Sequence, residues 1–196
     1  MTKRRREILA IAADLFAERG FANVTVDDIG EAAGVSGPAL YHHFTGKEAL
    51  LGEMLVDISQ YLLAGGTKVV AERRTLGPEE VLALLIRFHA EFAVERRSLI
   101  TVHFRDLVHA SEADQAKVRG LQSRYVALWC AELQRQSPGV GRRAAQAAVH
   151  ATFGLINSTP FSARLPRAAM LELLTSMAGQ ALRAGVSSGF ALAERG

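Results

Sequence analysis

Residues 25–44 read TVDDIGEAAGVSGPALYHHF and predict two short helices joined by a tight turn. Thr25 is a good N-cap residue, and an aspartate three residues later completes the pattern of a capping box. Gly34 stands where a helix end needs a residue in the left-handed conformation. Ser36 supplies a second N-cap, and Pro38 falls in the first turn of the next helix, where a missing N–H costs little. Two helices joined in this way describe a helix-turn-helix, whose second helix enters the major groove of DNA.

The residues around this motif also match a known pattern. They are Leu15–Phe21, Thr25, Ile29, Ala33–Ser36, Leu40–Phe44 and Lys47–Leu50. With them, the chain from Arg6 to about Leu55 resembles the N-terminal DNA-binding domain of the TetR family of bacterial transcription regulators. The rest of the chain resembles that family only in its helical pattern and length. The alternative is a three-helix bundle that serves only as a packing module.

The resemblance and the helical periodicity together predict an all-α fold of about nine helices. Residues 1–50 are expected to form a helix-turn-helix DNA-binding domain of three helices. Residues 51–196 are expected to form a C-terminal ligand-binding and dimerisation domain. The helix that begins at Lys47 contributes to both parts, and Gly65-Gly66 marks either a hinge in it or its end.

The second helix of the motif begins with small residues that let its backbone approach a base pair closely, and Tyr41 and His42 follow at phosphate-contact distance. Lys47 opens the next helix, where a cation and a helix N-terminus together attract phosphate. Relatives often carry a long polar residue where this chain has Gly37, so shape and phosphate contacts are expected to matter more than base contacts. The predicted DNA-binding residues are Thr25, Ser36, Gly37, Pro38, Ala39, Tyr41, His42 and Lys47.

The composition does not by itself identify a DNA-binding protein. The chain has 196 residues, a net charge of +3, 49% hydrophobic and 22% charged residues, which is ordinary for a globular protein. Residues 1–50 carry six Lys or Arg against seven Asp or Glu. Basic character is local, at Lys3–Arg6, which either reaches DNA phosphates or is a solvated terminus.

The sequence offers no catalytic constellation, no metal-ligand cluster and no cofactor motif. Gly185–Gly189 matches the G-x-S-x-G pattern, but a helix precedes it where the nucleophile motif needs a strand. Cys130 is the single cysteine and lies among apolar neighbours on a predicted helix, so it is expected to be a buried inert thiol, with a redox sensor as the alternative. Because the sequence shows neither a signal peptide nor an 18-residue apolar run, a cytoplasmic location without membrane association is expected.

The last two predicted helices are apolar on more than one face. The first, from Gly141 to about Asn157, is rich in alanine, and the second runs from Arg167 to about Ala184. A helix that is apolar over such a width is buried on two sides. We therefore expect both helices to pair with the same two helices of a second chain, since a palindromic DNA site also needs two recognition helices.

In the TetR family the C-terminal half encloses a small-molecule site, and this resemblance predicts one here. Aromatic residues are its candidate walls, with His89, Arg105 and Asn157 among the polar contacts. The predicted ligand-binding residues are Phe88, His89, Phe92, Phe104, Arg105, Tyr125, Trp129, Phe153 and Asn157. The alternative is that the aromatic residues form ordinary core. Arginines along residues 96–124 suggest an anionic group on the ligand, or else a solvated charged face.

These observations predict a homodimeric, ligand-responsive transcription regulator without enzymatic activity. It is expected to repress from a palindromic operator until a small hydrophobic effector, such as a fatty acyl-CoA or related lipid, releases it. Part of the C-terminal half also resembles relatives that govern lipid or steroid breakdown. The alternative from another functional class is a helical carrier or enzyme with a vestigial DNA-binding domain.

Overall fold

The computed structural model describes residues 2–72 and 75–187, and this part of the chain is helical without any strand. The α-helices are α1 (Lys3–Arg19), α2 (Val26–Ala33), α3 (Gly37–His43), α4 (Lys47–Glu72), α5 (Pro78–Glu95), α6 (Arg97–Asp106), α7 (Glu112–Gln136), α8 (Arg142–Ile156), α9 (Thr159–Ser162) and α10 (Arg167–Ser187). Single 3-10 turns follow α1 and α6. The predicted all-α fold is confirmed, and the end of the G-x-S-x-G match lies outside the described residues.

The described residues form two compact units. Unit 1 comprises Met1–Gln60 and Arg96–Leu121, and unit 2 comprises Tyr61–Glu95 and Gln122–Gly196. Both α4 and α7 contribute residues to the two units. The predicted division into 1–50 and 51–196 concerns functional domains, and it stays a prediction.

Unit 1 has an apolar core built mainly from one stripe of each helix. In α1 this stripe includes Ile8 and Phe16, which are fully buried. Ile29 of α2 and Leu40 of α3 join the same core. Because α2 and α3 have only eight and seven residues, tertiary packing must supply most of their stability.

Cationic side chains from elsewhere in unit 1 bind the backbone carbonyls at its helix ends. Arg4 donates to the carbonyl of Ala33, the last residue of α2, over 2.6 Å. Arg5 donates to the carbonyl of His43, the last residue of α3. These carbonyls lack partners within their own helices, so each arginine satisfies an acceptor and faces the negative end of a helix dipole.

Arg105 makes the same kind of contact at the end of α1. The Arg105 guanidinium donates to the carbonyls of Phe16 and Ala17 near the end of α1. The neighbouring Asp106 carboxylate accepts hydrogen bonds of 3.0 Å from Arg105, and these hydrogen bonds raise the Arg105 pKa. The side chain of Arg105 is thereby committed to the fold of unit 1.

Unit 2 is organised around α5, which packs against α8 and α10. Leu85 of α5, Trp129 of α7 and Val149 of α8 are fully buried. The Thr159 hydroxyl donates to the carbonyl of Ala93 over 2.8 Å, which fixes α9 on the end of α5. The core of unit 2 therefore joins helices that are distant along the sequence.

The helix α4 continues through Gly65-Gly66 to Glu72, so the glycine pair does not end it. A Cβ atom at Gly65 would overlap the ring of Phe88, and one at Gly66 would lie 2.6 Å from Cε2 of Tyr125. Both glycines are therefore needed for close packing of these rings on α4.

Two features are absent from the part of the chain that the structure describes. No helix in these residues is long and apolar enough to cross a membrane. The same residues contain no group of three or more His, Cys, Asp or Glu side chains placed to hold a metal ion.

Cys130 is buried, and burial raises the pKa of its thiol, which disfavours the reactive thiolate.

Replacing Lys47 tests the cationic contacts in unit 1. The Lys47 ammonium donates to the carbonyls of Phe21 and Val24, over 2.8 Å in each case, and lies 4.3 Å from the centre of the Phe21 ring. Lys47→Met should lower the free energy of unfolding by about 1–2 kcal/mol, because two carbonyls lose a charged donor. Urea denaturation followed by circular dichroism measures the change.

The matched control for this test is Lys3→Met. Lys3 is an exposed lysine of α1 whose ion pair with Glu7 spans 4.0 Å. Such a pair contributes little, so the control should stay within about 0.5 kcal/mol of wild type. Equal stabilities of the two variants would refute a structural role for Lys47.

Candidate functional site

The motif quoted at the start folds as its capping residues predict. The Thr25 hydroxyl accepts a hydrogen bond from the Asp28 backbone N–H over 3.1 Å, and the Asp28 carboxylate accepts one from the Thr25 N–H over 2.7 Å. The Thr25 hydroxyl also donates to the Asp28 carboxylate, and this bond, with the smaller effect of the one from the Thr25 N–H, lowers the pKa of Asp28. Gly34 ends α2 in the left-handed region, with φ 64° and ψ 38°. The turn thereby directs the chain into α3.

Helix α3 has a buried face and an exposed face. Leu40 and Phe44 at its C-terminal end are 2% and 4% exposed and belong to the core of unit 1. Between them, Tyr41 is 57% exposed, and His42 is exposed as well. The side chain of Ser36 caps α3 by accepting from the Ala39 N–H over 3.3 Å. The exposed face of this short helix carries the groups expected to meet DNA.

The remaining predicted DNA-binding residues differ in how available they are. Thr25 is exposed, but its hydroxyl serves the capping box. The ammonium of Lys47 serves two backbone carbonyls, which uses two of its three donors. Ala39 is half-buried, and the backbone of Gly37 and Pro38 forms the first turn of α3.

The contacts that fix the end of α3 involve Arg5, for which the sequence analysis considered only DNA phosphates or solvent. The Arg5 guanidinium pairs with the Glu53 carboxylate of α4 and lies 4.1 Å from the centre of the Phe44 ring. Together with its contact to the His43 carbonyl, this arginine joins α1, α3 and α4. Glu53 is 48 residues away along the chain, so no local pattern reveals the pair.

An aromatic cluster lies within unit 2, formed by Phe88, His89, Phe92, Tyr125, Trp129 and Phe153. The His89 and Phe153 rings are centred 4.6 Å apart, and the Tyr125 and Phe153 rings are stacked at 5.4 Å. Trp129 meets Phe153 edge-on at 4.9 Å. Five of the nine predicted ligand-binding residues therefore form one continuous set of ring contacts, and Phe88 is connected to it through Tyr61, whose ring contacts both Phe88 and Phe92.

Asn157 also lies at this cluster, where it anchors the His89 imidazole. The ring nitrogen Nε2 of His89 lies 3.1 Å from the Asn157 side-chain oxygen. Burial lowers the pKa of His89 to about 4, and the hydrogen bond to Asn157 offsets only part of that effect. Burial likewise raises the pKa of Tyr125, and the neighbouring Trp129 side chain, which approaches the hydroxyl without the distance and angle of a hydrogen bond, opposes part of that effect. Both side chains are therefore neutral at pH 7.

Phe104 and Arg105 do not belong to this set of contacts. Both are residues of unit 1, where the Phe104 side chain is 66% exposed. The Arg105 guanidinium is committed to the carbonyls of α1 and to Asp106. Arg105 is therefore not available to bind an anionic group of a ligand, as was predicted for the arginines along residues 96–124.

Unit 2 also has a cleft with a volume of about 300 Å³. It is lined mainly by residues of α5 and α10, among them Leu82, Ile86, Thr175 and Arg183, with Gln136 of α7. None of the predicted ligand-binding residues lines it. The cleft and the aromatic cluster are thus separate features of unit 2.

Comparison with known families agrees with these features. A sequence profile described as "Bacterial regulatory proteins, tetR family" matches residues 8–54, and one described as "Tetracyclin repressor-like, C-terminal domain" matches residues 75–161. The fold and the capped, half-exposed α3 define a helix-turn-helix protein of the bacterial regulator class. The chain belongs to the TetR family.

Three proteins illustrate the range of similarity. The HTH-type transcriptional repressor KstR2 of Mycolicibacterium smegmatis is 38% identical over 104 residues, which are 53% of this chain and 49% of that protein. The chain thus spans about half the length of this curated relative. A TetR-family transcriptional regulator from Bordetella parapertussis has a TM-score of 0.81 at 22% identity, covering 95% of this chain and 96% of that one. FadR from Bacillus subtilis, in complex with stearoyl-CoA, has a TM-score of 0.73 at 20% identity, covering 93% and 97%.

Removing the Tyr125 hydroxyl should stabilise the free protein. The Tyr125 side chain is buried, and its hydroxyl has no hydrogen-bond partner among the described residues. Tyr125→Phe should therefore raise the free energy of unfolding by about 1 kcal/mol, as measured by urea denaturation. The matched change Tyr61→Phe, at a tyrosine that is 56% exposed, should have no measurable effect. A clear loss of stability in Tyr125→Phe would show that the hydroxyl is satisfied in the folded protein.

The buried His89 should make stability depend on pH. The unfolded chain binds a proton at this imidazole near the usual pKa of 6.5, whereas the folded protein does so only near 4. As the pH falls from about 6.5 to about 4, the free energy of unfolding should therefore drop by up to about 3 kcal/mol through His89 alone.

Urea denaturation at a series of pH values measures this dependence. His89→Phe should have a shallower decline than wild type, because its side chain binds no proton in either state. His42→Ala, which removes an exposed imidazole on α3, should keep the wild-type decline. Identical declines in wild type and His89→Phe would exclude His89 as the source.

Proposed function

We propose that the protein is a homodimeric, DNA-binding transcriptional repressor that a small, largely apolar effector releases from a palindromic operator. One observation carries the DNA-binding part. Helix α3 exposes Tyr41 and His42 while Leu40 and Phe44 bury its other face. A helix-turn-helix binds DNA through a second helix whose inner face is buried in the domain and whose outer face is exposed.

The surfaces of α8 and α10 support the dimeric part of the proposal. On α10, Leu173 and Met177 are 41% and 47% exposed and lie one turn apart. On α8, the small residues Ala147, Ala151 and Gly154 follow one another on an exposed face. Small residues allow close helix approach and exposed apolar residues favour burial, so these two helices are the proposed dimer interface.

The aromatic cluster is the proposed effector site. It is lined by apolar rings, and Phe88 and Phe153 are only half-buried within unit 2. KstR2 relatives are described as repressors, and the FadR neighbour of the same fold was solved with stearoyl-CoA. Acyl-CoA thioesters and related lipids are therefore the first effectors to test.

The proposed cycle links residues 1–50, which bind DNA in the cytoplasm, to residues 51–196, which bind the effector and the second chain. An effector that binds the DNA-free arrangement better shifts the population away from the operator. A coupling of about 1–3 kcal/mol would lower operator affinity about 5- to 150-fold.

Selection of operator sequences from a random duplex pool tests the DNA-binding proposal. The wild-type protein should enrich a palindrome, and its affinity should fall steeply with rising salt. Tyr41→Ala and His42→Ala should each weaken binding at least about tenfold, whereas sedimentation should still show dimers. The proposal fails when wild type enriches no sequence and shows no salt-dependent binding.

Tyr61→Ala is the matched control for Tyr41→Ala. The two tyrosines are 56% and 57% exposed, but Tyr61 lies in unit 2 and outside the helix-turn-helix. Its replacement should leave affinity for the selected operator within about twofold of wild type.

A further inference from the structure

Three polar atoms without a protein partner among the described residues lie together in the aromatic cluster. They are Nδ1 of His89, the hydroxyl of Tyr125 and Nε1 of Trp129. The three side chains are 2%, 4% and 0% exposed. Across the described residues only four buried side-chain nitrogen or oxygen atoms lack a partner, and the fourth belongs to Asp57 of unit 1. Native cores pair their buried polar atoms, so this concentration at one place indicates a site for a polar group from outside the protein.

The hydrogen-bonding character of these atoms specifies the group that would fit. Because Nε2 of His89 faces the Asn157 oxygen, Nε2 carries the proton and Nδ1 is left as an acceptor. The indole of Trp129 can only donate, whereas the Tyr125 hydroxyl can do either. A group that both donates and accepts, as a hydroxyl does, satisfies the opposite requirements of His89 and Trp129 at once.

The three polar atoms belong to side chains whose rings contact one another. The rings of His89 and Tyr125 are centred 5.7 Å apart, those of Tyr125 and Trp129 6.0 Å apart, and those of His89 and Trp129 6.1 Å apart. The remaining contacts of these rings are with phenylalanines. A single oxygen atom surrounded by apolar rings is therefore the natural complement of the cluster.

The cluster also excludes an ionised group. Neither its six members nor Asn157 carries a charge at neutral pH, since burial lowers the pKa of His89 and raises that of Tyr125. Placing a carboxylate or ammonium there would remove it from water without a counter-charge. The buried end of the ligand must therefore be neutral.

We propose that the aromatic cluster binds the uncharged, hydroxyl-bearing end of a mainly apolar effector. The hydroxyl donates to Nδ1 of His89 and accepts from Nε1 of Trp129 or from the Tyr125 hydroxyl. This inference rests on the proposed function and narrows its effector class, because a plain saturated acyl chain would leave all three polar atoms unpaired. An oxygenated chain or ring satisfies them.

Trp129 is the single tryptophan of the chain, so its fluorescence reports directly on this cluster. The probes are 1-heptanol and octane, which have the same number of non-hydrogen atoms and differ in the hydroxyl. The measured quantity is the ratio of their affinities for the full-length protein. Because the hydration of each probe is the same for every variant, it cancels when ratios are compared.

The alcohol-to-alkane ratio should fall at least tenfold in His89→Phe, which is equivalent to about 1.4 kcal/mol. In Tyr125→Phe it should fall at least threefold. The control Tyr61→Phe removes the hydroxyl of an exposed tyrosine that touches Phe88 and Phe92 from outside the cluster, and it should keep the wild-type ratio. Ratios unchanged within twofold in both cluster variants would overturn the inference, as would the lack of any response of Trp129 to either probe.

Binding of duplex DNA by the same preparations separates this inference from the proposed function. Salt-dependent DNA binding without the expected change in ratio refutes only the hydroxyl assignment. If the wild-type protein binds no DNA but the alcohol-to-alkane ratios change as expected, the repressor proposal is refuted and the ligand chemistry of the cluster is supported.

Discussion

The recognition helix α3 is too short to stand by itself, and the organisation of unit 1 follows from this constraint. A seven-residue helix makes too few internal hydrogen bonds to offset the cost of nucleating it. Its position must therefore come from its surroundings: the buried pair Leu40 and Phe44 beneath it, the left-handed Gly34 before it, and Arg5 on its terminal carbonyl. Each support acts on the backbone or the inner face, which leaves the outer face of α3 exposed.

The parts of this arrangement that are local in sequence were predictable. N-caps, the capping box and the glycine turn act over three or four residues, and burial of Leu40 and Phe44 follows from helical spacing. The contacts made by Arg5, Lys47 and Arg105 were not predictable, because their carbonyl partners lie 23 to 89 residues away. A basic residue near a helix end in sequence looks the same whether it faces solvent, DNA or a distant carbonyl. Lys47 illustrates this ambiguity, since a residue expected at phosphate also supports the fold.

The ligand-binding prediction had a similar limit. Apolar periodicity shows that an aromatic residue is placed to be buried, and five of the predicted residues do form one set of ring contacts. Periodicity does not show which helices meet, so it grouped Phe104 and Arg105 with residues of the other unit. Nor does it reveal the pairing state of a buried polar atom, which depends on side-chain geometry. The chemical character of the cluster therefore emerged only once His89, Tyr125 and Trp129 were seen beside one another.

The packing of rings on α4 has a consequence for engineering the protein. Helix glycines are the usual targets for alanine substitution, because alanine restricts the unfolded chain and favours the helix. At Gly65 and Gly66 the added methyl group would meet Phe88 and Tyr125, so the entropic gain would be opposed by steric repulsion. At Gly120 and Gly154 an added methyl group would meet no atom within 4 Å among the described residues, so no steric repulsion within one chain opposes the substitution. A thermostabilisation programme guided by helix propensity alone would treat all four glycines alike, although only Gly120 and Gly154 leave room for a larger side chain within one chain, and Gly154 lies on the proposed dimer interface.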